Sequence, residues 1–82
     1  MSDTAARAAA ARRLLDDPVL VEALASVRTE AIAKWERTGP DQVTEREFAW
    51  LTVKALDRIT GALESVITDG AIAAKRVQAP VR

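Results

Sequence analysis

Lys54 and Arg58 lie one helical turn apart in "VKALDRI", a spacing that lets two cations close on one phosphate or carboxylate. Asp57 sits beside them and offers the plainer reading of a solvated, charge-balanced face. Trp50 has Arg46 and Lys54 four residues away on either side, so cationic side chains can cover its ring. Asp16 and Asp17 are neighbours, and adjacent positions point in different directions on any helix. A helix cap with a solvated neighbour therefore fits them better than a metal or acid–base pair. Glu45 and Glu47 belong to a helix start, where the dipole favours negative charge. The chain has no histidine and no cysteine, which removes imidazole bases, thiolate nucleophiles and the usual zinc ligand sets. Neither a glycine-rich phosphate loop nor a calcium loop is present. No catalytic, cofactor-binding or metal-binding residue is assigned, and no enzymatic activity is expected.

The elements that would position these groups are read from a chain of 82 residues, which is one small domain. At this size folding buries roughly 60% of the unfolded surface, so a lone copy is marginally stable and self-association is expected. Hydrophobic residues make up 49%, too many for a disordered chain. The arginines in "MSDTAARAAAARRLLDD" interrupt its alanine run, so it does not read as a secretory signal, and no stretch approaches the ~20 apolar residues of a bilayer span. The net charge is zero but unevenly placed. Residues 1–13 are basic through Arg7, Arg12 and Arg13, residues 70–82 through Lys75, Arg76 and Arg82, and the middle is acidic. These six cations are the candidate nucleic-acid contacts, and they predict weak, non-specific, salt-sensitive binding. The plainer reading is solvated ends on a mildly acidic body.

Periodicity is helical nearly throughout. Residues 4–15 are alanine-rich and predict a first helix. In "DDPVL", Asp17 reads as an N-cap and Pro18 as the first position of a second helix, which ends near Thr38 before Gly39 and Pro40. Its apolar stripe is Leu20, Leu24, Val27, Ala31 and Trp35, with Glu30 and Lys34 paired at i,i+4. "TGPDQVTEREFAW" then reads as a turn and a helix start rather than a binding loop. Thr44 and Glu47 match a capping box, and Val43 and Phe48 match a hydrophobic staple; Asp41 is the alternative cap. The third helix is predicted over 44–69, with Gly70 as its stop, one short helix over 71–77, and a frayed "QAPVR". Gly61 either permits close helix approach, with Ser65 four residues on, or is a tolerated substitution.

The third helix carries more apolar surface than one partner helix covers. Phe48, Leu51, Ile59, Leu63 and Val66 therefore join Trp35 and Trp50 as the candidate interface. The expected fold is all-α: a hairpin of two long antiparallel helices over 17–69, a shorter N-terminal helix or arm over 1–13, a basic C-terminal segment over 70–82, and copies assembling into a bundle.

The order "LLDDPVLVEALASVRTEAIAKWERT", a short turn, then "REFAWLTVKALDRITGALESVITDG" resembles small helical proteins of tailed phages and prophages, often encoded among head and DNA-packaging genes. The resemblance covers residues 14–70, through the "LL.DP" start, the late tryptophan of helix two and the "W..VKAL" run. It implies a non-enzymatic structural, assembly or accessory role in the host cytoplasm or the virion, with another phage or host protein as partner, and transfers no functional residue. A second reading resembles a small terminase subunit. A third is a small ligand-binding helical bundle of the chorismate mutase type, in which Arg7, Arg28, Lys54 and Arg58 would grip a carboxylate, although their spacing matches that family poorly.

Overall fold

The computed structural model describes residues 3–78 and is all-helical, with α1 Asp3–Asp16, α2 Pro18–Arg37 and α3 Val43–Gln78. Residues 79–82, and with them the end of "QAPVR" and Arg82, lie outside the described residues. The first boundary is where the sequence puts it: Asp17 alone separates α1 from α2, and Pro18 takes the first helical position, where its missing N–H costs nothing. The Asp17 amide donates to the Leu14 carbonyl at 3.2 Å. At the other end of α2, the Thr38 amide and hydroxyl both donate to the Trp35 carbonyl, at 3.1 and 2.7 Å, and end the helix one residue short of Gly39.

The start of α3 differs from the expected capping box. Val43 and Thr44 are already helical, and a residue in helical conformation is not an N-cap. Gln42 holds that place: its carbonyl accepts the first intrahelical bond from the Arg46 amide at 3.1 Å. The Gln42 amide donates to the Gly39 carbonyl at 3.1 Å, and its side-chain oxygen accepts from the Gly39 amide at 2.8 Å. Arg46 reaches back to donate to the Gly39 carbonyl at 3.1 Å, so it serves the turn and leaves Trp50 to Lys54. Val43 and Phe48 are both exposed, so they form no staple.

The second difference is larger. α3 runs through Gly70 to Gln78, a single helix of 36 residues, where a stop at 69 was expected. Gly70 has no positive φ and is buried. A Cβ built on it would overlap the methyl group of Ala8 and stand 3.4 Å from the Thr4 carbonyl oxygen. Glycine is there so that α1 can approach, and the local stop code is overridden by this contact. Gly61, the position where close approach was considered, faces open space, with nothing within 4 Å of a built Cβ. Gly61→Ala is therefore expected to raise stability by about 0.5–1 kcal/mol, the helix-propensity difference, in a denaturant titration.

The chain forms two compact units, each with its own share of α3. In one, α2 packs on the part of α3 up to Ile59; in the other, α1 packs on the part from Thr60. The covered positions of α3 alternate three and four apart: Arg46, Ala49, Val53, Leu56, Thr60, Leu63, Ile67 and Gly70 are each buried or half-buried. That is a coiled-coil seam. The facing seams are Leu20, Leu24, Ala31 and Thr38 on α2, and Thr4, Ala8, Ala11 and Leu15 on α1. Small residues hold the tightest points. Among the described residues only Ala11, Ala31, Ala49 and Gly70 are buried. No large side chain is, and the seams leave much of the apolar surface uncovered.

Candidate interaction surface

Within the unit of α2 and the first part of α3, one ion pair joins the two helices. The Arg28 guanidinium donates to the Asp57 carboxylate at 2.5 Å, both side chains about half exposed. Exposure keeps the stabilisation small, but the pair marks the level at which the helices face each other. Arg28 was a candidate carboxylate grip and is occupied in this way. Seven residues further on α2 stands Trp35, and seven residues back on α3 stands Trp50. Seven residues are two turns, so each tryptophan lies on the side of its own helix that carries the ion pair. Trp35 is 48% exposed and Trp50 is 53% exposed. Lys54 Nζ lies 5.4 Å from the Trp50 ring centroid, a cation–π contact that engages one of the two cations proposed to grip a ligand. Val21 and Ile32 are exposed on the same side of α2.

The opposite flank is a groove of about 580 Å³. Val27 and Ala31 from α2, and Phe48, Ala49 and Thr52 from α3, give it apolar walls. The Thr52 hydroxyl donates to the Phe48 carbonyl at 2.9 Å, so its proton is engaged inside the helix. Phe48 is the most exposed large apolar residue of α3 among the described residues, at 72%. Four charges rim the groove: Glu30, Lys34 and Arg37 from α2, and Glu45 from the first turn of α3. Glu30 and Lys34 form the expected i,i+4 pair at 3.5 Å. No ion pair of Arg37 or Glu45 occurs among the described residues.

Of the residues assigned to the interface from the sequence, Trp35, Phe48, Trp50, Leu51 and Ile59 are exposed, while Leu63 and Val66 are half-buried in the unit that holds α1. Leu63 belongs to the seam itself. Sequence reasoning missed Val27, Arg37 and Glu45 as one site. Val27 carried a signal, since it is on the α2 stripe; the placing of Arg37 and Glu45 on one groove from either side of a turn has none. The basic residues of the two terminal segments come together in one unit. Arg7, Arg12 and Arg13 are exposed on α1, and Lys75 and Arg76 are exposed in the last turns of α3, so five of the six cations belong to one compact unit. No described helix is long and apolar enough to cross a membrane. No family model, curated protein or solved structure matches the chain.

Proposed function

We propose that this chain is a non-enzymatic helical module that completes its core with further copies of itself, and that it serves as a structural, assembly or accessory protein of a tailed phage. The observation that carries the self-association is the burial pattern: among the described residues nothing larger than alanine is buried, while twelve large apolar side chains are exposed. Phe48 and the two tryptophans each offer roughly 150–250 Å² of side-chain surface, and about half or more of each is bare. A single exposed leucine is ordinary, but this supply of aromatic surface is what interfaces use. The phage assignment is supported by the sequence resemblance over residues 14–70. A further phage or host protein as client of the assembled form follows from the same resemblance.

If folding and assembly are one process, stability depends on concentration. A tenfold rise in protein then adds about 1.4 kcal/mol per dimer, which raises the melting temperature by roughly 3–6 °C for a folding unit of two such chains. A monomer melts at one temperature whatever its concentration, and that result would remove the proposal.

A DNA-packaging accessory, resembling a small terminase subunit, is the second reading. The gathering of Arg7, Arg12, Arg13, Lys75 and Arg76 on one helical unit favours it. Five phosphate contacts weaken by roughly 500-fold between 50 and 200 mM salt. Fluorescent duplexes of several sequences titrated at both salts are expected to show that dependence without sequence preference. Selective binding that survives the higher salt would favour packaging or regulation over assembly.

A further inference from the structure

The two flanks of the hairpin are not equivalent. On the tryptophan flank the charged groups are already engaged within the chain, Arg28 with Asp57 and Lys54 with the Trp50 ring. On the groove flank Phe48 stands bare, and Arg37 and Glu45 face the same space with no ion pair of their own. A groove with one spare positive and one spare negative charge on its rim, and an aromatic at its edge, carries both halves of a contact with itself.

We infer that the groove seats a second copy of this chain in a two-fold pairing, in which Phe48 of each copy enters between α2 and α3 of the other and Arg37 faces the partner's Glu45. A two-fold contact is self-complementary: if residue i meets residue j, j also meets i. One Arg37–Glu45 match is therefore made twice, which neutralises all four spare charges. Phe48 supplies the buried anchor, and the apolar walls of Val27, Ala31 and Thr52 receive it. The exposed side of α3 continues the contact through Leu51 and Ile59, one and three turns from Phe48. Standard interfaces bury about 800 Å² per partner, so the contact has to extend beyond the groove along the exposed apolar side of α3.

This inference rests on the self-association reading, and the test separates the two. Dissociation constants are measured by sedimentation equilibrium for the full chain and for Phe48→Ala, Arg37→Glu, Glu45→Arg and the double reversal. Phe48→Ala is expected to raise the constant about thirtyfold, the loss typical of an aromatic anchor. Each single reversal places two like-charge contacts in the interface and is expected to raise it tenfold or more. The double reversal is expected to return to within about threefold of the parent. Circular dichroism of every variant confirms the helices, since all three residues are exposed. If all variants associate as the parent does, the groove is not the seat, although self-association stands. If Phe48→Ala weakens association but the double reversal does not recover, the Arg37–Glu45 register is wrong. A monomeric parent removes both readings and leaves the groove to a different protein.

Discussion

Gly70→Leu strips α1 from the distal part of α3. The clash is with the Ala8 methyl group and the Thr4 carbonyl, which are parts of a helix and cannot rotate away, so α1 must move as a body. Overpacking a fitted contact costs about 1–3 kcal/mol, and a leucine here belongs at the top of that range. The 14 residues of α1 are too few to hold a helix well without a partner, so ellipticity at 222 nm falls along with stability. Gly70→Ala sets two terms against each other: about 1 kcal/mol gained in helix propensity, and an overlap of one methyl group. It is expected to destabilise, whereas Gly61→Ala stabilises. Equal effects at the two glycines would show that α1 does not make this approach.

Ala49→Leu acts on the other unit. Ala49 is 4% exposed and Ala31 is 5% exposed, and these two alanines are the only buried residues of the unit over 18–59. Three additional carbons at the seam push α2 outward and break the level at which Arg28 meets Asp57. A loss of about 1–3 kcal/mol is expected in a denaturant titration, together with a shift in tryptophan emission, because Trp35 and Trp50 belong to that unit. Ala25→Leu, on an exposed turn of α2, is expected to stay within about 0.5 kcal/mol. If the two variants behave alike, Ala49 does not set the helix spacing.

How much of this was legible in the sequence follows from the range of each signal. The α1–α2 break was legible because Asp17 and Pro18 act on their own backbone, and the α2 end because Gly39 and Pro40 do. The Glu30–Lys34 pair is a property of one helix and was read correctly. Gly70 was misread because the same residue serves a helix stop and a close approach, and only Ala8, 62 positions away in sequence, decides between them. Thr44 satisfied a local capping pattern, but Gln42, Gly39 and Arg46 form a network that starts the helix with Gln42 as its cap, two residues earlier. Half of the pair expected over Trp50 was lost to that network. The α2 stripe was only partly a core: Leu20 and Leu24 are half-buried and Ala31 is buried, while Val27 and Trp35 are exposed, a division set by the register of α3 rather than by periodicity. The width of the apolar face on α3 was visible, but the groove was not, since its walls come from two helices and its charges from either side of a turn.

One copy of this chain leaves twelve large apolar side chains exposed, and further copies are expected to cover them. Size exclusion coupled to light scattering, run over a range of loading concentrations that brackets the micromolar, measures the mass directly. At least twice the 8.9 kDa of the chain is expected, with any fall towards that value confined to the most dilute loadings. A mass of 8.9 kDa at every concentration would contradict it.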